Sequence, residues 1–374
     1  MYYVALRMLM GDTTKYLALV FGLTFSTTLA VQQGSIFTGL MRRTAASVET
    51  VPLADVWVMN PATRYFDDRK AIEDTALQRV RGVDGVEWAQ RLYIGSGSAR
   101  LPDGTYTGVQ IVGVERVSKI GLPQTFEKGS PELLEQPDAI FWDHLNTAIY
   151  KKIVPGDVLE INDHRARVVG LANGPRTFQS NPTVYTTYER ATQYSPGERR
   201  RLTFVIVHVK QGHSPKDVAA RIALVTGLGA KTSDEFFWST IGFYMKNTGI
   251  PINFGVTVLL GLIVGIAIAG QTFFTFTTEN AKHFGALKAM GLTNGKLIKM
   301  VLLQAALVGL IGWGVGVGLA TLFGLNITSR SVIAFLLTPQ LLAASFVMNF
   351  VTVVLAALIS IRNVLRIEPA IVFR

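Results

Sequence analysis

The sequence predicts an integral membrane α-helical protein: four transmembrane helices, with a large extracytoplasmic α+β domain inserted between the first and the second. Three observations carry this. Apolar residues make up 49% of the 374-residue chain and are clustered in Leu17–Leu40, Ile252–Thr278, Val301–Leu325 and Leu341–Ile361. Each run holds an apolar core close to the roughly 20 residues a helix needs to cross a bilayer. Between the first two lie about 210 residues of ordinary globular composition. Third, the net charge of +10 is uneven: residues 42–250 carry 26 basic against 23 acidic groups, and the remaining 165 carry 10 against 3. A nucleic-acid binder concentrates its excess on the globular part. Here the excess flanks the apolar runs, as orientation signals do, so no nucleic-acid partner is expected.

Arg7 and Lys15 precede the first span, Lys282, Lys288, Lys296 and Lys299 lie between the second and third, and Arg362, Arg366 and Arg374 follow the fourth. The loop between spans three and four has only Arg330. By the positive-inside rule, both termini and the basic loop are cytoplasmic and the large domain is outside. Cysteine is absent, which removes disulfide frameworks and thiolate metal sites from consideration.

In chain order, residues 1–15 read as a short cytoplasmic helix lying along the membrane interface, with Val4 and Met8 on one face and Leu6 and Met10 on an adjoining one. Span one, 16–41, starts near residue 16 and runs through Gln32–Leu40 without a convincing cleavage site, so it reads as a retained anchor. Thr24, Thr28, Gln32 and Ser35 give it one polar face, fitting either helix–helix hydrogen bonding or the lining of a substrate path.

The external domain, 42–250, should contain strands at Val56–Met59, Leu92–Ile94 and Val109–Val114, and a helix over Ala71–Arg81 stopped by Gly82. A turn is expected at Pro102 to Gly104. Val158–Ile161 and Ala166–Leu171 read as a hairpin around Asn162, Asp163 and His164. Thr203–Lys210 is strand-like, and Ser214-Pro215 opens a helix whose apolar face is Val218, Ile222 and Val225. The strand–helix order near both ends suggests two α/β halves, 54–115 and 202–235, around an insertion at 116–200. The aromatics Phe236, Phe237, Trp238, Phe243 and Tyr244 precede span two, as a belt at the membrane surface or a stalk continuing the span.

Span two is placed at 251–278, a cytoplasmic loop at 279–299, span three at 300–325, a short external loop at 326–340, span four at 341–361 and a cytoplasmic tail at 362–374. The loop mixes charge with Phe284, Leu287, Met290 and Leu292 at helical spacing, a pattern suited to receiving a push from another protein. Gly309, Gly312, Gly316 and Ala320 put small residues on one face of span three, where backbones can approach closely within one subunit or between two.

No apolar interior carries a charge, which disfavours a proton- or ion-driven carrier. Gly291 to Lys296 lacks the spacing and the following Ser or Thr of a Walker-A loop. The five histidines, at 144, 164, 208, 213 and 283, show no dense ligand spacing, and no catalytic constellation is recognisable.

Local segments carry a family resemblance over essentially the whole chain. HFGALKAMG from His283 to Gly291 resembles the cytoplasmic EFGxLKAxG-type segment of the MacB/FtsX-like permeases of ATP-binding-cassette exporters, the type VII or mechanotransmission class. RIEPA from Arg366 to Ala370 is similar to that family's C-terminal ending. VRGVDGV from Val80 to Val86, with IVGV from Ile111 to Val114, resembles the recurrent GV pattern of its external domain. A four-span permease without a fused ATPase is most similar to the DevC branch. The chain departs from the family at His283, where an acidic residue is usual.

The resemblance implies a non-catalytic permease in a bacterial inner membrane, surrounded by membrane lipid. Two copies should pair above two ABC ATPase subunits, which would bind the ATP and Mg, with a periplasmic adaptor of the membrane-fusion type and an outer-membrane channel as further partners. Phe284, Leu287, Lys288, Met290 and Leu292 should form a coupling helix seated on the ATPase, and spans one and two should pass its motion to the external domains. The substrates of such exporters include glycolipids, lipoproteins, haem, macrolides and peptides. An FtsX-like scaffold that regulates a periplasmic partner without transport is the alternative.

Overall fold

In a computed structural model the structure describes residues 2–143, 153–179, 181–195, 202–330 and 333–365. His144, the RIEPA segment and most of the predicted tail lie outside the described residues. The chain divides into two compact units, Met41–Thr248 and Met1–Leu40 with Gly249–Arg374. In chain order the elements are α1 (Tyr2–Gly11), α2 (Thr13–Thr44), α3 (Ala46–Glu49), β1 (Val56–Met59), α4 (Ala76–Arg81), β2 (Val86–Arg100) and β3 (Tyr106–Val114). There follow β4 (Phe126–Lys128), β5 (Ala139–Asp143), β6 (Val158–Ile161), β7 (His164–Ala172), β8 (Thr183–Thr187), α5 (Tyr188–Gln193), β9 (Phe204–Val209), α6 (Pro215–Thr226) and β10 (Gly229–Thr232). The chain then runs through α7 (Ser233–Asn247), α8 (Ile250–Glu279), α9 (Ala281–Ala289), α10 (Asn294–Arg330) and α11 (Pro339–Leu365).

The 41–248 unit is built on one sheet in the order β10-β1-β9-β2-β3-β8-β5-β7-β4, with β6 pairing β2 and β7 off that path. Among the named strands of the described residues, β3–β8 and β5–β7 pair in parallel and the other pairs are antiparallel. Alternation along the strands sends side chains to two separate cores. Val56 and Val58 of β1 join Val205 and Val207 of β9 on one face, whereas Trp57, Met59, Phe204 and Ile206 fill the other. That split is the period-two geometry of a strand buried on both sides. The segments 54–115 and 202–235 interleave: β1 lies between β10 and β9, and β9 lies between β1 and β2. The strands of 116–200 extend the same sheet beyond β3.

Several local expectations are corrected. The helix expected over 71–81 begins only at Ala76, because Ile72 is buried and its N–H donates to Leu202 O at 2.9 Å. The helix does end at Gly82, as expected, but with a right-handed φ of −77° in place of a left-handed glycine cap. The turn into β2 falls instead on Gly85, whose φ is +91°. β2 is far longer than Leu92–Ile94, since Gly95 to Ser98 pair across to Val109 to Ile111 and Gly108 despite their weak strand propensity. On α6 the inward face is Val218, Ala219, Ile222 and Thr226, and Val225 is exposed. The expected β6–β7 hairpin is present, but His164 belongs to β7 opposite Ile161, which leaves Asn162 and Asp163, both at positive φ, as the two-residue turn.

The aromatics of α7 pack mainly into the domain. Phe236 is fully buried and its ring lies 5.7 Å from Trp57 and 5.8 Å from Phe204, while Phe243 stacks on Tyr65 at 3.9 Å. Trp238 alone of the five is largely exposed. A capping box between Thr232 and Glu235 starts α7, and extended Thr248 ends it, so α7 and α8 are two helices and not one continuous helix.

In the other unit α2, α8, α10 and α11 are each long and apolar enough to cross a membrane. The 30 residues of α8 reach about 45 Å at helical rise, more than the roughly 30 Å hydrocarbon core requires. α1 packs one face on the chain's own bundle. Ala5 and Leu9 are fully buried in a cluster with Leu19, Leu23 and Met300, and Met10 is exposed. The small side chain of Ala5 permits this approach, and its carbonyl accepts from Gln304 Nε2 at 2.6 Å.

Candidate functional site

The loop singled out by its charge folds as a helical elbow. α8 ends where the Asn280 amide donates to Phe276 O at 2.9 Å, and α9 follows at once. Gly291, at φ +90°, turns the chain, and the Leu292 N–H returns to Leu287 O at 3.1 Å before α10 begins. Lys15 Nζ, in the first turn of α2, donates to both Asp12 and Glu279, tying the start of α2 to the end of α8.

The expected docking face is only partly outward. Phe284 is fully buried with Ala5, Leu9, Leu297 and Met300, and Leu287 and Leu292 are half-buried against the same cluster. Helical spacing identified an apolar face, but most of that face closes on the chain's own bundle. Met290 is 71% exposed. Lys288 Nζ donates to Leu365 O at 3.1 Å. The outward surface is therefore Met290 with Lys282, His283, Lys296 and Lys299, a single apolar knob among basic groups.

The polar face of α2 and the small-residue face of α10 meet. Thr28 Oγ1 donates to Thr24 O at 2.8 Å and lies 3.3 Å from Gly316 O. A Cβ on Gly312 would stand 2.8 Å from Leu23 Cβ, and one on Gly316 2.7 Å from Thr27 Cβ. Gly309 instead faces α11, where a Cβ would lie 2.7 Å from Val353 Cγ2. Ala320 is fully buried. Gln32 is half-buried, and Ser35 is buried with its carbonyl accepting from Leu336 N at 2.9 Å. The glycines thus pack within one chain.

Sequence reasoning missed the polar groups that hold these helices. Asn349 Nδ2 donates to Gly309 O at 3.0 Å, and its Oδ1 lies at the 3.5 Å limit from Thr27 Oγ1. Ser26 Oγ donates to Gly261 O at 2.9 Å, and Ser360 Oγ to Thr277 Oγ1 at 3.1 Å. Gln304 and Asn349, amides inside apolar runs, were the available signal, because uncharged polar groups at depth need partners.

In the 41–248 unit the charged groups make a supporting frame. Arg91 grips Glu115 through two hydrogen bonds, 2.7 and 3.2 Å, and lies 4.2 Å over the Tyr188 ring. The Glu115 hydrogen bond raises its pKa above the usual guanidinium value. Arg69 donates to Asp67 at 2.8 Å, and Tyr244 OH donates to the other Asp67 oxygen at 3.0 Å. Burial lowers the Arg69 pKa, with Asp67 opposing. His208 Nδ1 is 2.6 Å from Asp55 Oδ2, while His164 and His213 are exposed. Among the described residues, no group of three or more His, Cys, Asp or Glu could hold a metal ion.

Comparison with known proteins covers both units. The model of the MacB-like periplasmic core domain matches residues 17–225, and that of the FtsX-like permease C-terminal region matches 236–369. The macrolide export ATP-binding/permease protein MacB of Escherichia coli K12 is 24% identical over 230 residues, as is that of Shigella flexneri. The match takes in 59% of this chain and 35% of each relative, so the chain spans about a third of their length. Among solved structures, the periplasmic region of MacB from Actinobacillus actinomycetemcomitans aligns at 14% identity and TM-score 0.37, covering 54% of this chain and 96% of that one. The extracellular domain of the ABC-type transporter YknZ from Gram-positive bacteria aligns at 14% identity and TM-score 0.35, covering 48% of this chain and 98% of that one.

Proposed function

The chain belongs to the MacB/FtsX-like family of ABC-transporter permeases, and from that premise we propose that it is the membrane-embedded, non-catalytic subunit of an ATP-driven exporter of the DevC-like kind. A second copy and an ABC ATPase complete the core, with the ATPase binding ATP and Mg. A membrane-fusion adaptor and an outer-membrane channel serve the external side. α2, α8, α10 and α11 span the bacterial inner membrane with both termini in the cytoplasm, as the basic residues around Lys282–Lys299 favour.

The observation that carries this reading is the α8–α9–α10 elbow. Its inner side is clamped to the bundle by Phe284, and its outer side offers Met290 among lysines. A knob fixed to a rigid base is suited to receiving force. Motion of the ATPase moves the elbow, α2 and α8 carry the motion outward, and the external domain expels substrate from the outer face. The uncharged interiors of the spans suit a device with no ion path.

The test is co-purification. Met290→Asp should leave the permease in the membrane and lower recovery of its ATPase by about tenfold, as loss of one central apolar anchor does. Unchanged recovery would remove Met290 from the coupling surface. A reporter active only outside the cytoplasm should work when inserted near Gly174 and fail near Asn294, and the reverse pattern would overturn the orientation.

A further inference from the structure

The buried face of α7 changes character along its length. Its inward positions are Phe236, Thr240 and Tyr244, spaced so that they lie above one another on the helix. Phe236 packs in the apolar core against Trp57, Phe66 and Phe204. The next two are held by hydrogen bonds to one short segment. Thr240 Oγ1 accepts from the Phe66 N–H at 3.2 Å, and Tyr244 OH donates to Asp67 Oδ2 at 3.0 Å. Arg69 Nη2 donates to the other Asp67 oxygen at 2.8 Å, and its Nη1 donates to Gly95 O at 3.3 Å and Ser96 Oγ at 3.4 Å on β2. A continuous chain of polar contacts therefore runs from the last turn of α7 to the longest strand of the sheet.

Such a chain is an inefficient source of stability. The Arg69 and Asp67 side chains are only 15% and 21% exposed, and withdrawing an ion pair from water offsets much of what its attraction returns. What the chain supplies is register. An apolar face can shift by a fraction of a turn at little cost, whereas hydrogen bonds to charged groups fix both distance and direction. Register matters at this end of α7, because only Thr248 and Gly249 separate it from α8, a helix long and apolar enough to cross a membrane.

We propose that Tyr244, Asp67 and Arg69 form a latch that locks the last turn of α7 to β2, and that they are positioning residues through which a displacement of α8 is handed to the sheet of the 41–248 unit. The hand-over rests on the coupling reading above, whereas the latch rests on the hydrogen-bond geometry alone.

The experiment follows amide hydrogen exchange by mass spectrometry in the full chain, first alone in detergent and then assembled with its ATPase. Tyr244→Phe removes one oxygen and keeps the ring. Tyr194→Phe is the matched control, since that phenol donates to Arg165 O at 3.2 Å elsewhere in the same unit. In the chain alone, Tyr244→Phe should speed exchange over 240–247 by about tenfold or more, as loss of a hydrogen bond to a charged group does, and leave 233–238 unchanged. Tyr194→Phe should leave both segments of α7 unchanged. Unaltered exchange over 240–247 in Tyr244→Phe overturns the latch. Faster exchange through the whole unit also overturns it, by making the three residues a general support of the fold. In the assembled complex, ATP with vanadate should change exchange over 92–100 of β2, and Tyr244→Phe should remove that change. A response that survives Tyr244→Phe overturns the hand-over through these residues alone. No response in the unaltered protein overturns the coupling reading and the hand-over with it. If Tyr244→Phe elutes as aggregate, Arg69→Lys, which keeps the charge and loses the fork, replaces it with the same pattern expected.

Discussion

Five glycines on α10 supply an internal comparison that needs no outside standard. A Cβ at Gly316 would stand 2.7 Å from Thr27 Cβ and 3.0 Å from Thr24 O, and one at Gly312 2.8 Å from Leu23 Cβ. At Gly309 the nearest atom would be Val353 Cγ2 at 2.7 Å, whereas Gly314 and Gly318 would meet nothing within 4 Å. Every Gly→Ala change on this helix gains roughly the same backbone term, about 0.5–1 kcal/mol. That term cancels between the two sets, leaving the steric cost of forcing α2 or α11 away, about 1–3 kcal/mol per site for overpacking. Gly312→Ala and Gly316→Ala should therefore be less stable than Gly314→Ala and Gly318→Ala by that margin. Gly316→Ala should be the worst, because the Thr24 carbonyl is backbone and cannot rotate away. The assay is thermal unfolding of detergent-purified variants followed by size-exclusion fluorescence, where the two sets should separate by several degrees. Equal midpoints for Gly314→Ala and Gly316→Ala would refute the close approach of α2 and α10.

Phe284→Ala should destabilise the chain by about 3 kcal/mol, since it empties a fully buried site, whereas Met290→Ala should cost under about 1 kcal/mol; the same unfolding assay separates them. Asn349→Leu should loosen the contact of α10 with α11 by about 1 kcal/mol, because Gly309 O loses its donor, and cysteine cross-linking across that contact would slow. Burial raises the Tyr194 phenol to about 12 against a pull from Arg190, and burial with Asp67 raises Tyr244 as well. A raised folded pKa gives stability that is complete below the unfolded value near 10 and is lost as pH climbs through the folded one. Phenolate absorbance of the 41–248 unit within the full chain should therefore show these tyrosines ionising late and together with alkaline unfolding, and their early independent titration would contradict the packing.

The four long apolar helices were legible because a bilayer imposes a length and a composition that few other environments demand. Single strands such as Val56–Met59 were legible because alternation and β-branching coincide there. Their arrangement was not. The register that puts β1 between β10 and β9 pairs residues some 150 and 175 positions apart, and no local pattern encodes which distant strand is a neighbour. Phe284 shows a subtler gap. Its spacing with Leu287 marked it as part of an apolar face, but a sequence does not say whether such a face closes on its own bundle or on a partner. The helix-to-helix polar bonds were hidden for a similar reason, since the acceptors of Ser26 and Asn349 are the backbones of Gly261 and Gly309, which carry no side-chain signature.

The burial of Phe284 changes how the proposed coupling would operate. Were the whole apolar face of α9 seated on the ATPase, the elbow could move as a loose lever, and force would be lost in the Gly291 turn. Instead α9 is pinned from within: Phe284 packs in the cluster that contains Ala5 and Leu9 of α1, Leu23 of α2, Phe273 of α8 and Met300 of α10. Glu279 binds Lys15, and Gln304 holds the Ala5 carbonyl. Close-packed interiors transmit displacement because they have little free volume to absorb it. A push on Met290 is then shared at once among the neighbouring ends of several helices. On this argument the effective unit of motion is the whole cluster, and the residues that set coupling strength are those that stiffen it. Lys15→Gln lies outside the proposed docking surface around Met290, and on the proposed coupling it should uncouple ATP hydrolysis from export while leaving ATPase recovery intact. Loss of both together would show that Lys15 acts through docking and not through stiffness.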